Sequence, residues 1–328
     1  MRNIWLDGIM GVITGDALGL PVQFQCRIER DADPLEDMIG YGTFHLPEGS
    51  WSDDGSMTMA TLASIIIHND ICSADIMERF VDWYVDGDYT PFGNAFDQGC
   101  TCTTAIYRYR KEKDIHTCGL TGEYANGNGA LMRILPVCIF AHEKVKCGEW
   151  PEEKAISMIH EVSALTHNHP RSKMACGIYY FLVKAVLDYA GGLKERLQEG
   201  MKMAETFYRA DIDNLEQLKY YEELFDLDQF QKRERKHISS SVYVVDTLEA
   251  VLWCLLNTED FREAMLKAAN LGDDTDTVAA IAGGIAGLHY GYEGIPTEWL
   301  QKIQRREWVE AVCEEAFQEV SVLTDCRE

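Results

Sequence analysis

Three aspartates, Asp273, Asp274 and Asp276, crowd into four positions of the stretch LGDDTDTVAAIAGG (271–284), directly ahead of an apolar run of small residues. The first turn of a helix favours one or two carboxylates, because its N–H groups lack partners and its dipole attracts negative charge. Three exceed what capping needs. A second acidic group stands at WSDDGSMTMATLASI (51–65), where Ser52, Asp53 and Asp54 precede another amphipathic segment. Each group combines a hydroxyl, Ser52 or Thr277, with carboxylates at a helix start, and neither has a Lys or Arg within four residues. Such all-oxygen sets are hard ligands, suited to Mg²⁺, Mn²⁺ or Ca²⁺ rather than to zinc. If the two groups meet in space they can hold two divalent ions, which in two-metal sites stand roughly 3.5–4 Å apart. An EF-hand does not fit, since its twelve-residue loop ends in Glu. For Ser52 to Asp54 alone, ordinary capping is the simpler explanation; the presence of both groups shifts the balance toward a site.

Two further loops suit a substrate cleft. In NGNGALMRILP (126–136) the glycines free the backbone to turn N–H groups toward an anion, and Arg133 follows, although a plain turn before a helix explains the same residues equally well. THNHP (166–170) sets His167 and His169 in a loop ended by Pro170, where they can contact a phosphate or a base. A metal role for them is disfavoured, because no Cys or third His stands at ligand spacing.

The elements that must position these residues are helical. Stretches such as SMTMATLASIII and EAVLWCLLNTEDFREAMLKAAN carry apolar residues at three-to-four spacing, and only 8 prolines interrupt 328 residues. An all-α fold is expected. Gly8, Gly11, Gly15 and Gly19 recur at three and four, as do Gly283, Gly287 and Gly291, the latter among Ala279, Ala280, Ala282 and Ala286. A helical glycine costs on the order of 1 kcal/mol against alanine, so such stripes imply close approach of two helix backbones. That explains the glycines without explaining the acids beside them.

A net charge of −24 argues against nucleic acid or an anionic membrane as partner, since both need a concentrated positive surface. The one basic run, QKRERKH (231–237), reads as a solvated helix end. Asp7 and Asp16 interrupt the apolar N-terminus, so neither a signal peptide nor a transmembrane span is expected, and a cytoplasmic protein is. The 11 cysteines include no CxxC pair, and GCTCTT (99–104) is too tight for a zinc knuckle, which suits free thiols in a reducing compartment. With no linker or repeat, residues 1–328 read as one domain, with the charge-rich segment 191–237 as peripheral helices unlikely to carry catalysis. The acidic charge favours a monomer.

Seven segments, GDALGLPVQF (15–24), WSDDGSM (51–57), FDQG (96–99), NGALMRILPV (128–137), THNHP (166–170), YVVDTLEAVLW (243–253) and LGDDTDTVAAIAGGIAGLHYG (271–291), together resemble the ADP-ribosylglycohydrolase family, in the family's order and over most of the chain. The resemblance implies a compact, single-domain orthogonal helical bundle with a central cleft holding two Mg²⁺ or Mn²⁺ ions. It implies cleavage of the glycosidic bond between ADP-ribose and a modified side chain or small acceptor, so the partner would be an ADP-ribosylated protein or a small ADP-ribose conjugate. Carried over residue by residue, it makes Ser52, Asp53, Asp54, Asp274, Asp276 and Thr277 the metal ligands. Asp273 falls where relatives often have Gly and is left out. Asp97 matches an acid beside the catalytic centre, and Asp54, Asp274 and Gln23 join it as catalytic residues. Asn128, Gly129, Met132, His167 and Tyr243 would line the ADP-ribose cleft.

One departure bears on mechanism. Many relatives read VEF where this chain reads VQF, and a glutamine at 23 can coordinate or donate a hydrogen bond but cannot exchange a proton at neutral pH. Acid–base work would then fall to Asp97 or to water held by the metals, with the metal pair orienting the ribose hydroxyls as the oxocarbenium-like state forms. Two alternatives stay open: an ADP-ribose binding module with weak or lost catalysis, and a dimetal hydrolase of another nucleotide-like substrate. The acceptor, whether arginine, serine, acetyl or nucleotide, is not legible.

Overall fold

The glycine stripes set the centre of the molecule. In a computed structural model, which describes residues 2–321, the helix Ile4–Gly19 lies against the helix Thr275–Tyr290 with backbones touching. A Cβ on Gly11 would stand 2.1 Å from the Gly283 carbonyl oxygen, and one on Gly15 would stand 2.1 Å from that of Ala279. Only glycine fits at either position. The helical penalty of these glycines is offset by burying both helices almost completely. Two members of the expected stripes do something else. Gly8 faces the side chains of Leu135 and Leu288, and Gly291 lies past the helix end, closing it at φ +79°.

Around this pair the chain is all-α, with sixteen α-helices and, among the described residues, no strand. The helix Asp53–His68 packs beside the N-terminal helix, and Pro170–Asp188 and Val244–Leu256 pack against Thr275–Tyr290. One contiguous core runs from Trp5 to Val320, with Trp5, Trp51, Trp83 and Trp299 wholly inside it. Two isolated bridges pin loops rather than build a sheet: Leu120 to His167, and Gly127 to Tyr243.

Segment 191–237 begins with the helix Leu193–Arg209, which lays its apolar side on Pro170–Asp188, Gly200 sitting directly on Leu182. Short helical turns follow and return the chain to the cleft. The basic run at its end is not simply solvated. Arg233 pairs with Glu223 and Glu249, and Arg235 pairs with Asp31 and donates to the Asn270 carbonyl. All ten described cysteines are free, six of them buried; Cys326 lies outside the described residues. No described helix is long and apolar enough to cross a membrane.

Candidate active site

The two acidic groups, more than two hundred residues apart in sequence, meet. Thr277 donates from Oγ1 to Asp54 Oδ2 at 3.4 Å, which joins the start of Thr275–Tyr290 to the start of Asp53–His68. Ser52 caps its helix by accepting from the Asp54 N–H (3.4 Å). Asp274 occupies the N-cap position of the other helix, yet its side chain makes no capping bond. It turns away to accept from Asn128 Nδ2 at 2.5 Å, and Asn128 also donates to Thr247 Oγ1. Capping therefore does not account for Asp274.

Asp53, Asp54, Asp274 and Asp276 are all buried, whereas Asp273 is exposed. Asp273 has φ +59°, the left-handed region where glycine is at ease, which explains both its place outside the cluster and the glycine preferred there in the resemblance. Its backbone pairs with the segment after Gln23: Phe24 N donates to Asp273 O, and Asp273 N donates to Gln25 O. Phe24 and Asp97 also sit at positive φ, so three strained residues border one cleft.

The sequence reading missed a carboxylate. Asp16, noted only as an interruption of an apolar stretch, is fully buried beneath the acidic floor and accepts from the backbone N–H groups of Ser52 and Gly55, each at 2.9 Å. It thereby fixes the turn that presents Asp53 and Asp54. The available signal was its place next to Gly15 on the helix packed against Asp276.

Burial dominates the electrostatics here. It pushes Asp16 up to about 7 against the pull of its N–H donors. Burial and then repulsion among neighbouring aspartates raise Asp53, Asp54 and Asp276 well above the ordinary carboxylate range. Asp274 and Asp97 are raised too by burial, Asp274 against the pull of the Asn128 amide that donates to it. Among the described residues no Lys or Arg lines the cavity above them. Several acceptor atoms are buried and unpartnered: Asp54 Oδ1, Asp276 Oδ2, Asp97 Oδ2 and Gln23 Oε1. An orphaned buried carboxylate oxygen is costly, and a bound cation removes that cost. The donor chemistry, carboxylate and hydroxyl oxygens with no thiolate or imidazole among them, fits Mg²⁺ or Mn²⁺. Among the described residues no group of three or more His, Cys, Asp or Glu side chains is gathered to hold an ion by itself. The carboxylates that would hold an ion are Asp53, Asp54, Asp274 and Asp276, with Ser52 and Thr277 as hydroxyl donors beside them.

Above the acids opens a cavity of about 570 Å³. Asp53, Asp97, Asp274, Thr277 and Gln23 lie in its wall, while Ser52, Asp54 and Asp276 stand behind them. Asn128, Gly129, Met132, His167 and Tyr243, the expected substrate contacts, all line it. Gly129 has no room for a side chain: a Cβ would come within 2.9 Å of His167 Cε1 and 3.0 Å of Cys102 Sγ. His167 is buried and neutral, its pKa lowered to about 3 by burial and then by Arg133, and it shares a hydrogen bond with Thr166 through Nδ1. Asn128 N–H is committed to Val242 O, whereas the N–H groups of Gly127 and Gly129 make no backbone hydrogen bond among the described residues. Arg133 takes no part in the cavity wall. Its guanidinium is wholly buried, donates to Thr166 Oγ1 and the Val162 carbonyl, and lies 4.5 Å from the Phe80 ring centre.

Comparison with known proteins agrees with this architecture. The sequence model of a family described as ADP-ribosylglycohydrolase matches residues 3–325. The chain is 32% identical over 309 residues to "ADP-ribosylarginine hydrolase Tri1" of Serratia proteamaculans (strain 568), covering 94% of this chain and 77% of that one. It is 29% identical to "ADP-ribosyl-[dinitrogen reductase] glycohydrolase" of Rhodospirillum rubrum, covering 92% and 90%. A solved structure titled "ADP-ribosylglycohydrolase-related protein complex" superposes with a TM-score of 0.75 at 27% identity, covering 97% of this chain and 98% of that one. The chain belongs to the ADP-ribosylglycohydrolase family, and with it to the glycosidic-bond hydrolases.

Proposed function

We propose that the protein cleaves the bond between ADP-ribose and the guanidinium of an arginine side chain, with two divalent cations held between its acidic helix starts. The observation that carries this reading is the convergence of Asp53, Asp54, Asp274 and Asp276, with unpartnered oxygens, below a cavity large enough for a nucleotide. An arginine acceptor is favoured because the described cavity wall holds no Lys or Arg, and Asp97, with its free Oδ2, faces the cleft where a cationic leaving group would sit. The similarity to an ADP-ribosylarginine hydrolase points the same way.

Ser52, Asp53, Asp54, Asp274, Asp276 and Thr277 would hold the cations, which when bound supply counter-charge to the carboxylates and polarise the ribose hydroxyls. The chain's own residues do the rest. The N–H groups of Gly127 and Gly129 donate to the diphosphate, and His167, neutral, offers Nε2 beside them. Asp97, with its free Oδ2, accepts the proton of the attacking water as the water oxygen bonds C1″ and the C1″–N bond breaks with its electrons going to nitrogen, and it then passes that proton to the departing guanidine, which leaves as guanidinium. Gln23, in the same wall with an unpartnered Oε1, offers a neutral acceptor to a cation or a ribose hydroxyl without itself exchanging a proton.

The test is to incubate the protein with mono-ADP-ribosylated arginine and serine peptides and with O-acetyl-ADP-ribose, under Mg²⁺, Mn²⁺ or EDTA, and to quantify free ADP-ribose. Release from the arginine peptide alone, abolished by EDTA, is expected. Release from serine or acetyl conjugates instead would replace the acceptor. The glutamine at 23 also supports a binding-only reading, for which ADP-ribose would raise the melting temperature with no turnover on any conjugate. Phosphate release would indicate a different nucleotide-like substrate.

A further inference from the structure

A diphosphate entering the cleft would meet no lining cation, yet one guanidinium stands directly behind the wall. Arg171, at the start of Pro170–Asp188, is 3% exposed and donates from Nη1 to two lining residues, Glu123 Oε1 at 2.7 Å and the Tyr243 hydroxyl at 3.1 Å. It is held rigidly from the other side. Its Nε donates to Gln217 at 3.1 Å, its guanidinium stacks 3.6 Å from the Tyr220 ring centre, and its carbonyl accepts from the Tyr221 hydroxyl. Three residues of the peripheral segment thus serve to fix one arginine at the cleft. Glu123 is the mobile partner in chemical terms, its side chain 64% exposed and its second oxygen 3.4 Å from His169 Nε2.

We propose that Arg171 is the binding residue that reads the diphosphate of the substrate, and that Glu123 is a resident anion which the diphosphate displaces from Nη1. The exposed Glu123 carboxylate returns to water at little cost, as half-exposed ion pairs contribute little. Arg171 is already ordered by Gln217 and Tyr220, so a diphosphate gains a charge-assisted bond to a preorganised fork without immobilising a new side chain. Tyr243, placed by its bridge to Gly127, would then donate its hydroxyl alongside the loop N–H groups. This rests on the reading that ADP-ribose occupies the cleft.

The experiment is calorimetric titration of ADP-ribose into Mn²⁺-loaded wild type, Glu123→Gln, Arg171→Gln and Arg171→Lys, with adenosine titrated by NMR as the phosphate-free probe. Glu123→Gln, which removes the competing charge, is expected to bind ADP-ribose about threefold or more tighter, and Arg171→Gln about tenfold weaker, with adenosine unchanged in both. Arg171→Lys would fall between, keeping the charge but losing the fork. Weaker or unchanged binding by Glu123→Gln, or an equal loss of adenosine and ADP-ribose affinity in Arg171→Gln, overturns the assignment and leaves Arg171 a purely structural residue. If Arg171→Gln does not fold, the sign of the Glu123→Gln change decides alone. Absence of ADP-ribose binding by wild type would instead remove the underlying functional reading.

Discussion

Asp188 and Asp54 are the same side chain in opposite surroundings. Asp188, at the outer end of Pro170–Asp188, accepts from His142 Nε2 at 2.7 Å and from Lys184 at 3.2 Å, and Glu143 faces the other His142 nitrogen at 3.1 Å. Burial alone would raise Asp188, but these partners outweigh it and bring its pKa down to about 2. Asp54 is more deeply buried and has only hydroxyl, amide and carboxyl neighbours, so burial and the adjacent Asp16 and Asp53 push it well above the usual range. In the first place the chain supplies its own counter-charge. In the second it supplies none, and the comparison separates carboxylates paired within the fold from the carboxylates to which the proposed function assigns cation binding.

The largest effect should come from removing a cleft acid. Asp274→Ala is expected to lower kcat by on the order of 10³-fold or more and to abolish cation binding. Asp54→Asn should do the same, yet raise the melting temperature of the metal-free protein at neutral pH, where the buried carboxyl must either ionise without a partner or hold its proton against solvent. Removing Asp188 should have the opposite sign: Asp188→Ala leaves His142 buried beside fewer partners and lowers stability by about 1–2 kcal/mol, with turnover retained. Urea unfolding of the EDTA-treated variants compares these signs directly. Gly15→Ala forces a methyl onto the Ala279 carbonyl and is expected to cost about 3 kcal/mol, with loss of activity as Asp16 and Asp276 are pushed apart.

pH sharpens the same contrast. In the metal-free protein the folded state holds a proton on Asp16 up to about 7, against 3.8 unfolded, so this stability is complete below about 3.8 and is lost as pH rises toward 7. Asp188 behaves inversely: its contribution is complete above 3.8 and is lost as pH falls through about 2. His142, raised above 6.5 because Asp188 and Glu143 outweigh its burial, contributes fully below 6.5 and loses that contribution as pH rises through its folded value. Melting temperatures of EDTA-treated protein should therefore fall between about pH 4 and 7, and saturating Mn²⁺ should remove most of the fall. The smallest effect is expected at Asp273, where Asp273→Gly relieves the left-handed backbone for a gain of about 0.5 kcal/mol and leaves turnover unchanged.

What was legible in the sequence was what is local. Helical periodicity, the glycine stripes and the hydroxyl-carboxylate pattern at two helix starts each lie within a few consecutive residues, and the structure forms those helices and brings Gly11, Gly15, Gly283 and Gly287 into backbone contact, while Gly8 and Gly291 fall outside it. Asp16 was not legible because its function is a contact to backbone N–H groups 36 and 39 residues on, which no local pattern marks. For Arg133 the sequence left an anion loop and a plain turn equally open, and the structure decides for the turn, since Leu131–Arg133 carries the side chain inward onto Phe80. The partnership of Glu123 with Arg171 spans 48 residues and depends on Tyr220 from a segment that composition marked as peripheral.

The most direct test of the central claim is to titrate Mn²⁺ into metal-free wild type and Asp54→Asn, counting bound ions by calorimetry while following the melting temperature. The account predicts two ions per wild-type chain, a melting temperature that rises on binding, and neither response in Asp54→Asn. A wild-type protein that binds no Mn²⁺ or Mg²⁺ and melts at the same temperature in EDTA would show that its buried carboxyls keep protons rather than metals, and would contradict it.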